Sequence, residues 1–194
     1  MKKVIPLFVL FLSTALFSQT EIKLNAVTLP ALIPNIGIEL QIGDKSSFQL
    51  DVLGSFWDSI DGSPFHVVQV FPEYRHYFKP NMRGFFIGGH VGFGMFTLTK
   101  YGYPNTIYQS GQNIYLGATI GYKIELSDRW ALEVFLGGGS SQARYRAYDN
   151  VTGERVDVTP EDNNRPFNKS GEWIPYRGGI MLVYKLPSFR PTKK

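Results

Sequence analysis

Residues 112–126 read Gln-Asn-Ile-Tyr-Leu-Gly-Ala-Thr-Ile-Gly-Tyr-Lys-Ile-Glu-Leu and alternate without a break. Ile114, Leu116, Ala118, Ile120, Tyr122, Ile124 and Leu126 fall on one parity; Asn113, Tyr115, Gly117, Thr119, Gly121, Lys123 and Glu125 fall on the other. Successive side chains of a strand point to opposite faces, so this pattern gives one greasy face and one wet or small face. A strand of a soluble protein commonly runs about 5–6 residues. A tilted strand that crosses a bilayer needs about 9–11. The segment therefore restricts the chain to long strands greasy on one side only, and its other segments must be compatible with that.

They are. Splitting the chain by parity predicts eight strands. The first, Glu21–Leu29, sets Ile22, Leu24 and Ala26 against Lys23 and Asn25, and ends at Pro30–Pro34 because proline cannot donate to a ladder. Asn35–Ile42 sets Ile36, Ile38, Leu40 and Ile42 against Gly37, Glu39 and Gln41. Phe48–Trp57 sets Phe48, Leu50, Val52 and Phe56 against Gln49, Asp51 and Ser55. Phe65–Phe78 sets Val68, Val70, Pro72, Tyr74 and Phe78 against Gln69, Glu73, Arg75 and Tyr77. Gly84–Thr99 sets Phe85, Ile87, Val91, Phe93 and Met95 against Gly88, His90, Gly92 and Gly94. The sixth strand is the opening segment, and Lys100–Gly111 before it reads as a polar loop. The seventh starts at Trp130 and sets Leu132, Val134 and Leu136 against Ala131, Glu133, Gly137 and Gly139; beyond it, Arg144–Asp149 is expected to pair with Glu154–Val158 around Asn150–Gly153. The eighth, Trp173–Leu186, sets Ile174, Tyr176, Ile180, Leu182, Tyr184 and Leu186 against Arg177, Gly179, Met181 and Lys185.

The expected fold class is all-β: an eight-stranded antiparallel up-and-down transmembrane β-barrel. Short turns after the second, fourth and sixth strands and longer loops after the third, fifth and seventh fit such a barrel, as does the even strand count. Aromatic residues fall at both ends of the strands, Phe78, Phe85, Trp130 and Tyr184 at the periplasmic side and Phe56, Trp57, Phe65, Trp173 and Tyr176 at the outer side. Amphipathic rings belong at the two headgroup layers.

The N-terminus reads as a secretion signal. Lys2 and Lys3 precede an apolar run from Val4 to Phe17, and cleavage is expected at Ser18-Gln19, with Ser13-Thr14-Ala15 as a second option. The run is shorter than the roughly 20 residues of a membrane helix. The expected organisation is a signal peptide over 1–18, a barrel over 19–186 and a basic periplasmic tail over 187–194. The chain has no Cys, which excludes a disulfide framework and a lipid-modified cysteine at the mature N-terminus. The formal charge of +4 resides in Lys2, Lys3, Arg190, Lys193 and Lys194; the body is near neutral, at about −1. That argues against nucleic acid as a partner, which needs clustered basic residues.

On the inward face parity collects Glu39, Asp51, Glu73, Glu125 and Glu133 with Lys23, Arg75, Lys123, Arg177 and Lys185, five charges of each sign. An eight-stranded barrel is only wide enough for its side chains to fill. The charges are therefore expected to form a packed ion-pair network, with the inward glycines making room for Arg, Tyr and Trp, and with no continuous pore. Glu73 reads as a salt-bridge partner and His90 as an inward hydrogen-bonding residue. His66 and His76 lack metal-ligand spacing, and no phosphate loop or nucleophile elbow is present. No catalytic, cofactor-binding or metal residue is assigned, and no cofactor is expected.

The run Gln69-Val70-Phe71-Pro72-Glu73-Tyr74-Arg75-His76-Tyr77-Phe78, with Asn35-Ile36-Gly37-Ile38-Glu39 before it and Gly84-Phe85-Phe86-Ile87-Gly88-Gly89-His90 after it, resembles a bacterial domain-of-unknown-function family. Its members are outer-membrane barrels of about 180 residues, related in kind to small OmpA/OmpX-like barrels. The resemblance implies fold and location and brings no activity. Many such barrels end on an aromatic residue, whereas here Tyr184-Lys185-Leu186 is followed by Pro187–Lys194, so an internal insertion signal is expected.

The expectation is a non-enzymatic outer-membrane protein of a Gram-negative envelope. Its expected partners are outer-membrane lipid, the barrel insertion machinery, and an extracellular partner engaged through loops 100–111 and 145–172. Two alternatives remain. A lipid-modifying enzyme needs an outward nucleophile and base; Ser140, Ser141 and the pair Ser63–His66 are the nearest candidates. A soluble periplasmic lipocalin-like carrier also has eight antiparallel strands but would carry its apolar residues inside.

Overall fold

The computed structural model describes residues 19–59, 62–99, 106–157 and 170–187. The expected signal peptide, most of the basic tail and parts of the loops at 100–111 and 145–172 lie outside the described residues. Nine strands form among the described residues: β1 Thr20–Asn25, β2 Asn35–Gln41, β3 Ser46–Asp58, β4 Pro64–Lys79, β5 Arg83–Leu98, β6 Ile107–Glu125, β7 Trp130–Asp149, β8 Arg155–Val156 and β9 Glu172–Lys185. Each barrel strand pairs antiparallel with the next, in the order β6-β5-β4-β3-β2-β1-β9-β7, and β6 pairing with β7 closes the ring. Eight strands thus make an up-and-down barrel with no free edge, which satisfies every strand on both sides. The short β8 lies on the far end of β7, with Ala147 opposite Val156 and Tyr148 opposite Arg155, as the hairpin expectation requires.

The polar stretch 107–111 differs from expectation. It is strand rather than loop, paired with β7 from Ile107↔Asp149 onward and with β5 from Gln109↔Leu98 onward. It hides from the periodicity because both faces are wet above the apolar band. The first strand also stops earlier, at Asn25, and a turn over 26–28 leads into a single 3-10 turn at Leu29–Ala31.

One end of the barrel is stoppered by a turn. Asn81 and Met82, between β4 and β5, have φ of 61° and 52°, and Met82 has no exposed surface. It packs in a cluster with Tyr77, Phe86, Ala131, Phe135, Met181 and Val183. The Asn81 N–H donates to the Asp44 carbonyl of the neighbouring turn at 2.9 Å, which ties two turns together under the stopper. A left-handed conformation is uncommon outside glycine. Here it turns a thioether, which fills irregular gaps well, into the lumen.

Sidedness is the decisive feature. Ile120 is 53% exposed and Leu116 63%, whereas Arg75, Lys23 and Glu133 have no exposed surface. Apolar side chains cover the outside and ionic ones fill the inside, the reverse of a lipocalin-like carrier.

Ile174 and Tyr176 face the lumen, not the exterior. Between Gly137↔Arg177 and Gly138↔Pro175 the register skips one residue, Tyr176. An extra residue on one strand is a β-bulge, and it reverses the parity of everything before it in β9. Trp173 consequently faces outward, 82% exposed, while Tyr176 leaves the outer aromatic band.

Candidate functional site

Alternate residues of β4 climb the lumen and mark its layers: Tyr77 at the stopper, then Arg75, Glu73, Phe71 and Gln69. The two middle positions belong to one ionic cluster. Arg75 donates from Nε to Glu73 Oε1 at 2.8 Å and from Nη1 to Glu133 Oε1 at 2.8 Å. Lys23 Nζ lies 2.5 Å from both Glu39 and Glu133. Lys123 Nζ lies 2.5 Å from Glu21 and 3.2 Å from Glu39. The Tyr77 hydroxyl donates to Glu39 at 2.8 Å, and Ser47 donates to the same carboxylate. The guanidinium of Arg75 also sits over the Phe86 ring at 4.4 Å.

One layer up, Arg177 Nη1 bonds Glu73 at 2.5 Å and its Nη2 bonds Asp51 at 2.9 Å. Asn35 donates to Asp51 and accepts from Asn25 Nδ2 at 2.9 Å. Near the lower rim Lys185 pairs with Glu125. A charge taken out of water costs several kcal/mol unless it is paired and hydrogen-bonded (about 3–5 when a partner is removed). Multiple acids on each of Lys23, Arg75, Lys123 and Arg177 meet that condition.

Above the ions lies an aromatic layer. Phe71 stacks on Tyr176 at 5.8 Å, and Tyr115 approaches Tyr176 at 4.7 Å. His90 shares a hydrogen bond with the Tyr176 hydroxyl at 2.7 Å through Nε2 and with Thr119 at 3.0 Å through Nδ1. Gln69 and Asn113 donate to the Tyr115 hydroxyl at 2.9 and 2.8 Å. Above this layer there is room, about 130 Å³ lined by Gln69, Asn113, Tyr115, Ser141, Glu172 and Ile174 among others.

All ten charges expected inside lie at or near the ion cluster, and Glu73 and His90 take their expected parts. Glu21 was not counted, although it shares parity with Lys23; it is fully buried beside Lys123, so the acids outnumber the bases by one. The inward glycines make room for Arg and Tyr as expected, Gly137 for Arg177 and Gly94 for Tyr115, and for Phe rings and a carboxylate besides. A Cβ on Gly92 would enter the Phe71 ring, on Gly121 the Phe86 ring, on Gly88 the Glu73 carboxylate and on Gly117 the Tyr176 hydroxyl; no Trp occupies the space.

The residues weighed for lipid chemistry are not assembled. Ser141 is buried inside, while Ser140 lies opposite Trp173 and accepts from Gln142. Ser63 is buried, and His66 pairs with Asp58 at 3.2 Å. His76 lies outside against Phe78. No group of three or more His, Asp or Glu able to hold a metal occurs among the described residues.

The fold and its interior thus define a closed eight-stranded barrel with a filled, ionic lumen and an apolar exterior. Residues 4–186 match the family model described as protein of unknown function (DUF3575), and the chain belongs to that family. No curated protein and no solved structure matches it.

Proposed function

We propose that the protein is a small outer-membrane β-barrel without catalytic activity. It supports envelope integrity or meets external partners through its outer segments at 100–111 and 145–172. The observation that carries this reading is the inverted sidedness. Large apolar side chains on every barrel strand are exposed, among them Ile22, Ile38, Leu50, Val91, Ile120, Leu136 and Leu182. A soluble monomer rarely exposes a contiguous apolar patch beyond a few hundred Å², and lipid tails are the natural solvent for such a belt. Ring pairs at the stoppered end add support: Trp130 with Tyr184 at 4.9 Å and Phe78 with Phe85 at 5.3 Å. At the opposite end Trp173 and Phe56 are exposed. The filled lumen favours a structural or recognition role over solute passage.

The test combines two measurements on the exported protein. Electrophoresis in SDS should show different mobilities before and after boiling, and alkaline carbonate should leave the protein in the membrane pellet. Identical mobility together with release into the aqueous extract would refute the proposal.

A further inference from the structure

The outward face changes character abruptly near the outer ends of β4–β7. One row across the sheet holds Val70, Phe93 and Ile114. The next holds Val68, Met95, Gln112 and Arg144, and the one after holds His66, Thr97, Ser110 and Arg146. These two upper rows line an open hollow of about 620 Å³. Its wall contains two guanidiniums and no carboxylate. Arg144 and Arg146 are exposed, and neither is paired with an acid among the described residues. The Thr97 and Ser110 hydroxyls share a hydrogen bond at 2.9 Å, so one donates to the other and the second keeps a proton to give. His66 is engaged by Asp58.

Height supports a specific occupant. Arg144 lies fourteen residues along β7 from Trp130. At about 3.3 Å per residue and a tilt of about 40°, that is about 35 Å, the separation of the two headgroup layers of a thin bilayer. A phosphomonoester carries about −1.5 to −2 charge and three acceptor oxygens, which two guanidiniums and neutral donors match.

We infer that this hollow holds the phosphomonoester headgroup of an outer-leaflet lipid, with Arg144 and Arg146 on the phosphate, Ser110 and Gln112 as neutral donors, and the acyl chains descending over Met95, Phe93 and Ile114. The inference rests on the membrane reading above. Generic snorkelling of arginine toward a headgroup layer would neither saturate at one lipid per barrel nor distinguish Arg144 and Arg146 from another exposed arginine such as Arg155.

The test is native mass spectrometry of the exported chain purified in detergent, incubated with dioleoyl phosphatidic acid, dioleoyl phosphatidylglycerol or dioleoyl phosphatidylcholine. One phosphatidic acid should be retained per barrel, at least tenfold in preference to either diester lipid. Arg144→Gln combined with Arg146→Gln should reduce retention at least tenfold; the Lys pair should keep most of it, and Arg155→Gln should leave it unchanged. Inorganic phosphate at equal concentration should not displace the lipid. Equal retention by the Gln pair, equal retention of the diesters, or displacement by phosphate would each overturn the site. Boiling-dependent mobility, scored on the same samples, separates the failures. A wild type that inserts but shows no selectivity refutes the site alone, and one that does not insert refutes the membrane reading with it.

Discussion

Arg75 is the residue on which the interior depends most, and replacing it by Met gives a sharp test. Met approximates the length of the side chain and removes the charge. Arg75 touches Glu73 and Glu133 at 2.8 Å, lies 3.7 Å from Glu39 and covers Phe86 at 4.4 Å, all with no exposed surface. Breaking a buried pair from one side costs about 3–5 kcal/mol because the remaining charge is left uncompensated. Two facts moderate that: Glu73 keeps Arg177 at 2.5 Å, and Glu133 keeps Lys23 at 2.5 Å. One adds to it, since a desolvated cation–π contact is worth about 2 kcal/mol. The expected loss for Arg75→Met is therefore about 3–4 kcal/mol.

Neutralising the partner as well should return part of that loss. Glu133→Gln alone takes one acid from Arg75 and Lys23, whereas Arg75→Met with Glu133→Gln removes a cation and an anion together. The double variant should be more stable than the sum of the single losses by about 1–3 kcal/mol, the range for residues in one ionic network. Equilibrium urea unfolding in lipid vesicles, followed by fluorescence of Trp57, Trp130 and Trp173, reads all four proteins. A loss below about 1 kcal/mol for Arg75→Met, or additivity within about 0.5 kcal/mol, would refute the claim that these side chains act as one network.

Three further outcomes are expected. Ile120, at the middle of the apolar face of β6, should tolerate Arg poorly in vesicles, losing about 2–4 kcal/mol in the same urea titration; an unchanged midpoint would show that lipid does not contact this face. Gly92→Val drives a side chain into the Phe71 ring and should cost about 1–3 kcal/mol by overpacking, while Gly89→Val, which meets nothing within 4 Å, should leave the midpoint within about 0.5 kcal/mol. At the outer tip, the Asp149 carboxylate accepts from the Val151 and Thr152 amides, both at 2.8 Å, and these bonds hold its pKa below the ordinary 3.8. A carboxyl depressed in the folded state stabilises the turn above its unfolded pKa and loses that contribution as pH falls through the lower, folded value. Exchange protection of the Val151 and Thr152 amides should therefore persist at pH 5 and weaken below about 3.8, and Asp149→Ala should abolish the pH dependence.

Parity carried most of the architecture because one residue of slip reverses every side chain, and a face rich in Ile, Leu and Phe against one with Lys, Glu and Arg admits a single register. The same logic would have found Glu21, two residues before Lys23 on the same face. It could not find Tyr176. Ile174 and Tyr176 continue the even-numbered series to Leu186 in sequence, and only the skipped pairing between Gly137↔Arg177 and Gly138↔Pro175 reverses them; the local sign is Pro175, three residues before the Gly178-Gly179 doublet. Met82 was illegible for another reason. Periodicity says nothing about a turn residue, and its inward direction comes from the left-handed backbone at Asn81 and Met82.

A lumen in which Lys23, Arg75, Lys123 and Arg177 each meet at least two carboxylates is built to stay shut. Passage of a solute would break several such pairs at once, at about 3–5 kcal/mol for each partner removed, and would still meet Met82 at the stoppered end. On the proposed reading, recognition would fall to the exterior and the outer rim, where the β6–β7 ladder is distinctive. Its pairing runs from Glu125↔Ala131 to Ile107↔Asp149. The apolar face of β6, Leu126 to Ile114, covers about 30 Å of height at the tilt of such barrels, so the pairs from Gln112 to Ile107 stand above the apolar belt. They form a stiff ribbon that carries β8 and positions Arg144 and Arg146 at its root. A ribbon fixed by backbone pairing presents these groups with little entropy left to lose on binding, so the outer face of β6 and β7 is the first place to look for what this barrel recognises.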